Sequence, residues 1–464
     1  MAIARMAGQA GVIGTNILVA HLLTVEAAGQ IQKTLLPVQM AILIGAFGIQ
    51  TSVYYFMPRI EPNQRRALMV QSFAALGLIG TLIAADMALK AGSVAAWMAE
   101  PPPVDLIQMG ALCVLFGVPA LLADPVFITA DRARLAAANS VVGALIQIGL
   151  AALILALGLP LTLVLLAMAT ATAVRLVWAL GFAWITLSTE NGPRWDRALL
   201  GAQLAYILPV GLTAMADTFS SWLDRLLVSA FYGSREFALY SYGAIEIPFI
   251  SLIIGSLTPV LLPHFSAQLA SGNHPGVLKV WHRATTKASI ILFGLFFLFL
   301  WVAPEFLAVL YSSKYTESST FFRIYLALLP VRIVAFMPLL FALGRGSTVL
   351  GGALAEIVLN TGLSLFLMRM TPLGMAGAAV GTVLSTFCQA AFYLSRIRQS
   401  LGTTWAEVLP WKSLAWDLGK CALFFLPLGL LKVVAAPPLA SLVAAGLLFV
   451  IFSWYRVLPR LKAA

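Results

Sequence analysis

The residues best placed to do chemistry in this sequence are acids, amides and a few cations set inside apolar runs. From Tyr206 through Thr213, Asp217 and Ser220 to Asp224 the polar positions step by seven, four, three and four residues, so they share one helix face. At ~1.5 Å per residue this stripe runs about 27 Å, close to the apolar thickness of a bilayer. Two carboxylates on an apolar face are costly unless they meet water or partners. The stripe is therefore expected to border an aqueous path, with Pro209 as a point of bending. Gln39 and Gln50, eleven residues apart, share a face of an earlier helix, with Gln32 extending the line; Gln9 and Asn16 do so on the first. Amides both donate and accept, which suits sugar hydroxyls. The simpler alternative is hydrogen bonding from helix to helix.

Among the charges, Arg175 and Glu246 fall near the middle of apolar runs, where an unpaired charge is expensive. Arg332 lies thirteen residues before Arg345 and Glu356 eleven after it, so an antiparallel hairpin would pair them as a structural ion pair. Asp224 and Arg225, with Arg323 at the same level, could form an outer gate or simply snorkel. Asp217, Asp224 and Glu246 could couple a transport step to H+ or Na+, because a buried carboxyl changes its proton affinity with its surroundings. An anion entering the apolar region would need a cation, and Arg175, Arg225, Arg323 and Arg332 are the candidates. No catalytic constellation emerges: neither Gly-Lys-Ser/Thr nor His-Glu-x-x-His occurs. Three cysteines lie in apolar runs and four histidines lack metal-ligand spacing, so no metal and no cofactor are expected.

The elements that must position these groups are membrane spans. Of 464 residues, 61% are apolar and 10% charged, against roughly 25% charged in a soluble domain. Apolar runs of spanning length predict fourteen helices: 8–24, 35–57, 67–88, 105–123, 136–158, 162–186, 199–228, 237–262, 287–309, 321–343, 347–368, 374–395, 413–433 and 439–457. With both termini cytoplasmic, eighteen Lys and Arg fall on the inner side and six on the outer. That bias absorbs most of the net charge of +11, so no nucleic-acid partner is implied. Glu26 and Glu236, Pro37 and Pro248, Arg134 and Arg345, and Pro160 and Pro372 recur at offsets of 210 to 212. The fold class expected is thus an all-α polytopic membrane protein of two six-helix parallel pseudo-repeats plus two extra C-terminal helices. Its domains are an N-lobe over 1–190, a C-lobe over 191–400 and the additional helices over 401–464.

Four stretches carry a family resemblance. They are Glu-Ala-Ala-Gly-Gln (26–30) with Gly-Ala-Phe-Gly-Ile-Gln (45–50) and Tyr-Tyr-Phe-Met-Pro-Arg (54–59); Leu-Asp-Arg-Leu-Leu-Val-Ser (223–229) with Phe-Ala-Leu-Tyr-Ser (237–241); Ala-Leu-Gly-Arg-Gly (342–346); and Pro-Leu-Gly-Met-Ala-Gly-Ala-Ala-Val-Gly (372–381). In order and spacing the chain resembles the polysaccharide transporter branch of the multidrug/oligosaccharidyl-lipid/polysaccharide (MOP) flippase superfamily. The resemblance implies two V-shaped lobes around a central cavity lined by spans 1, 2, 7 and 8, opening alternately to each side. It also implies a polyprenyl-(di)phosphate-linked oligosaccharide as substrate, the cell inner membrane as location, and polysaccharide polymerase or export machinery as partners beside membrane lipids. The expected cavity residues are Asn16, Gln39, Gln50, Arg175, Tyr206, Thr213, Asp217, Ser220 and Glu246. Peptidoglycan-precursor flippases of similar fold place several arginines in the cavity, whereas span 1 here has only His21 and span 2 no basic residue within its core. A cation-coupled multidrug exporter of the same superfamily is the nearest alternative, although span 1 lacks the acid common in one branch. A membrane glycosyltransferase or polymerase would need a larger outer loop than the one flanked by Asp86, Glu100 and Asp105.

Overall fold

The computed structural model describes residues 2–187, 195–247, 250, 261–429 and 437–462, with the side chains of 2–9, 187, 217 and 461–462 outside that description. No strand occurs among the described residues. Among the described residues eleven helices are long and apolar enough to cross a membrane. The expected first, eighth and thirteenth spans are not among them. The first helix has a described apolar stretch of only Ala10–Leu22, and the other two run into residues 248–249, 251–260 and 430–436, outside the described residues. The chain forms two compact units, Met1–Ala238 and Leu239–Ala464.

In the first unit the helices are α1 (Ala2–Leu22), α2 (Val25–Ala46), α3 (Ile49–Phe56), α4 (Pro62–Leu89), α5 (Ala91–Ala96), α6 (Val104–Ala120), α7 (Ala123–Thr129), α8 (Ala133–Ala156), α9 (Thr162–Leu187) and α10 (Arg197–Phe231). Helix α11 (Ser234–Gly243) carries the division between units within it. The seventh span, α10, packs on α2, α3 and α4 and so belongs to the first unit, whereas the repeat assigns it to the second lobe. Val53, Leu68, Leu76, Ile107, Val114 and Leu165 are buried in the interior, while Leu78, Leu82, Leu145, Val177 and Ile185 point outward as a lipid-facing surface requires. The expected second span is two helices. Phe47 and Gly48 both take positive φ (40° and 74°), which stops α2 and starts α3 in a new direction. This break and α10 cross closely: a Cβ on Gly211 would lie 2.7 Å from the Phe47 carbonyl oxygen, and one on Gly48 3.2 Å from the Gly211 amide nitrogen.

The second unit holds α12 (His274–Tyr311), α13 (Ser319–Leu326), α14 (Leu329–Arg332), α15 (Phe336–Ala342), α16 (Gly346–Met370), α17 (Ala376–Leu401), α18 (Trp405–Val408), α19 (Trp411–Phe425), α20 (Pro438–Phe452) and α21 (Leu458–Lys462). Its core gathers Phe265, Trp281, Leu339, Leu340, Tyr393 and Ile397. The tenth span is broken at Ile333–Ala335 between α14 and α15. One local turn occurs in both units. Asp131 (φ 56°) precedes Arg132 at the start of α8, and Gly344 (φ 68°) precedes Arg345 at the start of α16. The Arg132 amide donates to Phe127 O and that of Arg345 to Leu340 O, both at 2.9 Å. Arg132 and Arg345 therefore share one local backbone conformation.

Candidate functional site

The site is built on α10. Asp196 caps its first turn, accepting from the Leu199 amide at 3.0 Å and from Gln64 Nε2 at 3.1 Å. These bonds, the Leu199 amide first, hold the Asp196 carboxyl below the usual carboxylate range. Further along, Pro209 withholds one backbone donor, and the Thr213 hydroxyl donates to the freshly placed Pro209 carbonyl at 2.9 Å. Tyr206, Thr213 and Ser220 are half-buried and Asp224 is buried. The Asp217 side chain lies outside the described residues. Arg225 donates to Ser221 O at 3.4 Å and sits 5.1 Å from the Trp222 ring, so at this end of the stripe the cation rests on its own helix.

At the other end α3 and α10 make a polar and aromatic platform. Tyr55 and Tyr206 stack with ring centroids 4.4 Å apart and planes 21° apart, and Phe56 stands edge-on to both. The Arg59 guanidinium lies 4.1 Å from the centroid of Tyr55 and donates to Tyr55 O at 2.6 Å. Arg59 and Tyr55 are exposed. One turn inward, buried Gln203 donates through Nε2 to Ser52 Oγ (2.8 Å) and Ser72 Oγ (2.9 Å), joining α10 to α3 and α4. Ser72 and Gln203, with Phe47, Ile49 and Ile207, help line a cavity of about 320 Å³. Gln50 is half-buried on α3. The exposed Arg59 guanidinium and Tyr55 ring can meet an anion or a polar ring, whereas Gln203, Ser52 and Ser72 are buried and bonded to one another, and hold α10 on α3 and α4.

Residues 18–320 match the model of the polysaccharide biosynthesis protein family. The chain belongs to that family. No curated protein sequence matches it. Among solved structures the chain is similar to the lipid II flippase MurJ in an inward closed conformation: 13% identity, 99% of this chain and 100% of that one, TM-score 0.71. It is similar to an inward-facing multidrug resistance MATE family transporter of the MOP superfamily, with 15% identity over 85% of this chain and 94% of that one at a TM-score of 0.70. It also resembles a MOP superfamily transporter from Pyrococcus furiosus, with 17% identity over 86% and 93% and a TM-score of 0.62. The fold is that of the MOP superfamily, and the chain is a multi-pass membrane protein.

In this polysaccharide biosynthesis protein the other expected residues do not gather into one place. Asn16 accepts from Gln32 Nε2 at 3.1 Å, a bond from α1 to α2, and Gln39 is half-buried on α2. Arg175 is held between α8 and α9. Its Nε donates to Asn139 Oδ1 at 3.2 Å, the Asn139 amide answers to Arg175 O at 3.1 Å, and Asp124 stands 4.0 Å away. A Cβ on Gly143 would lie 2.2 Å from Arg175 Cδ, so the glycine makes room for the arginine stem. Glu246 follows the end of α11 and is not mid-helix, because the helix stops where Gly243 packs on Ser318. Arg332 pairs with Glu246 at 2.6 Å, which corrects the expected Arg332–Glu356 pair. The break after α14 takes Arg332 out of register with α16, and Glu356 is buried, accepting from Ser385 (2.9 Å) and Asn360 (3.3 Å).

Three features went unforeseen. Lys33 is fully buried and donates to the carbonyls of Ala99, Glu100 and Tyr232, the last at 3.0 Å, closing the end of α10 onto α2 and the 97–103 loop. Gln203 precedes Tyr206 by three residues, a spacing that could have placed it beside the stripe. Asp417, fully buried in α19, takes a bidentate pair from Arg460 (2.6 and 2.7 Å) and a bond from Ser289 (2.8 Å). Among the described residues no three His, Cys, Asp or Glu side chains could together hold a metal ion.

Proposed function

We propose that this protein is an alternating-access flippase that moves a polyprenyl-(di)phosphate-linked oligosaccharide across the cell inner membrane for polysaccharide export, with both termini cytoplasmic. The observation that carries the reading is the column of Arg59, Tyr55 and Tyr206 beside the Gln203 amide. A polar head group resists entry into hydrocarbon because its hydroxyls and phosphate lose water. In this reading the Tyr55 and Tyr206 rings and the hydroxyls of Thr213 and Ser220 replace that water along α10, the guanidinium of Arg59 meets the phosphate, and the polyprenyl tail stays in lipid. The protein makes no bonds; it lowers a desolvation barrier. Coupling to H+ or Na+ falls to Asp217 and Asp224, since the Glu246 carboxylate is engaged by Arg332.

The test is flux of a fluorescent polyprenyl-diphosphate-linked glycan in proteoliposomes. Arg59→Gln should lower initial flux about tenfold with detergent stability unchanged, since a charge-assisted bond is worth about 1.5–3 kcal/mol; Tyr206→Ala should lower flux as well, and its lost stacking on Tyr55, about 0.5–1.5 kcal/mol, is read separately as a lower thermal midpoint. Wild-type flux in both variants removes this site from the mechanism. Drug efflux without glycan flux overturns the substrate assignment in favour of an exporter. Asp224→Asn with unaltered flux and pH response removes coupling from Asp224.

A further inference from the structure

In the second unit, a crevice of about 1010 Å³ lies where α12 begins, α17 ends, and α18 and the start of α19 cross over them. Its floor is apolar, with Leu278, Leu401, Ala406 and Leu409. Basic groups stand around it: His274, Lys279 and Lys412 are exposed, and His282 is half-buried. The His282 ring is fixed by its Nε2 contact with Val408 O at 3.1 Å. The single carboxylate in the lining, Glu407, is already engaged by the Thr404 hydroxyl (2.8 Å) and amide (3.2 Å) and by the Thr403 hydroxyl (3.2 Å). Those bonds, the Thr404 hydroxyl first, hold its carboxyl below the usual range. Neither Lys279 nor Lys412 has an acidic partner among the described residues. Trp411 closes one side, half exposed, its indole N–H donated to Trp405 O at 2.7 Å.

We propose that this crevice binds the phosphate-bearing head group of an anionic glycerophospholipid of the leaflet it faces. Lipid is favoured over a soluble phosphate by the arrangement itself. Unpaired lysines sit over an apolar floor at the ends of two membrane helices, α12 and α17, and exposed Trp405 and Trp411 mark the level where hydrocarbon gives way to head groups. A soluble anion would use the lysines and leave the floor in water. A glycerophospholipid uses both, its phosphate at Lys279 and Lys412 and its glycerol and first methylenes on Leu278 and Leu409. The site is independent of the sugar-recognition reading above.

The experiment uses the full chain in detergent, titrated with phosphatidylglycerol, phosphatidylcholine or inorganic phosphate and read by native mass spectrometry and by the thermal midpoint. Phosphatidylglycerol should bind and raise the midpoint, whereas the other two should not. Each lysine near a charged lipid contributes about fivefold in affinity, so K279Q/K412Q should weaken phosphatidylglycerol by about 25-fold with its lipid-free midpoint unchanged. R345Q, which removes an exposed cation outside the crevice, should bind as wild type. Equal binding of phosphatidylcholine, displacement of the lipid by inorganic phosphate, or equal losses in K279Q/K412Q and R345Q would each overturn the proposal.

Discussion

Replacing Arg460 with leucine should detach the C-terminal helices from α12. Asp417 is 0% exposed, and its charge is met by two short bonds from Arg460 and one from Ser289. Removing one member of a buried pair costs about 3–5 kcal/mol, because the other is left charged in a poor solvent. The Arg460 side chain is 31% exposed, so water already screens part of the attraction and the lower end, about 3 kcal/mol, applies. At about 1.4 kcal/mol per tenfold, local opening becomes about 100-fold more frequent. Cys421 offers the readout. It lies one turn beyond Asp417 on α19 and is fully buried, its Sγ 3.9 Å from Ile290 O. With exposed Cys388 changed to alanine, maleimide should label Cys421 about 100-fold faster in Arg460→Leu, while buried Cys113 of the first unit keeps its rate. Asp417→Asn combined with Arg460→Leu leaves no orphan charge and should restore most of the protection. Unchanged labelling in the single variant, or a double variant no better protected than the single, would refute the reasoning.

Lys33→Met should lower the thermal midpoint of the detergent-solubilised protein, since it strips the donor from three carbonyls at about 1–3 kcal/mol for each group left unsatisfied; Lys33→Arg, which keeps the charge, should lose less. Gly143→Val should displace the Arg175 stem and destabilise by about 1–3 kcal/mol, a loss that Arg175→Ala in the same chain should partly reverse, both read as midpoints. Asp196 has a folded-state pKa below its unfolded value. Its capping contribution is therefore complete above the unfolded pKa and disappears as pH falls through the folded one. Asp196→Asn, which can still cap, should flatten the acid limb of a stability–pH profile without altering the neutral midpoint.

The parts of the fold legible in the sequence are those written as periodic apolarity. The long apolar helices, α10 among them, follow from spacing alone. Other features are invisible for physical reasons. Lys33 is satisfied by backbone carbonyls, which every residue carries, so no side-chain pattern announces the site. The break at Phe47–Gly48 is written with the same small residues that let continuous helices pack closely. Asp417 and Arg460 are 43 residues apart, and nothing between them fixes the turn that brings α21 back. The mistaken partner for Arg332 came from assuming an unbroken tenth span; three non-helical residues were enough to aim it at Glu246.

These placements narrow the choice of cation for a crossing phosphate. Arg175 is fixed by Asn139 and faces Asp124, and Arg332 is spent on the Glu246 carboxylate. An anion arriving at either must displace a partner already in position, at a cost like that of breaking a buried pair. Arg323 donates to Leu300 O and Arg225 to its own helix. Arg59, like Arg225, lies on a carbonyl and a ring of the turn before it, but at the shorter distances of 2.6 and 4.1 Å against 3.4 and 5.1 Å. Its bonds are to a neutral carbonyl and to the face of Tyr55, so its positive charge is oriented but not neutralised, and it projects from the platform that Tyr206 completes. A transporter must release what it binds, and a guanidinium held by a ring and a carbonyl can accept a phosphate without first giving up a counter-charge. Sequence reasoning passed over Arg59 because it ends a span instead of interrupting one, and it is the arginine to which the proposed function assigns the head group.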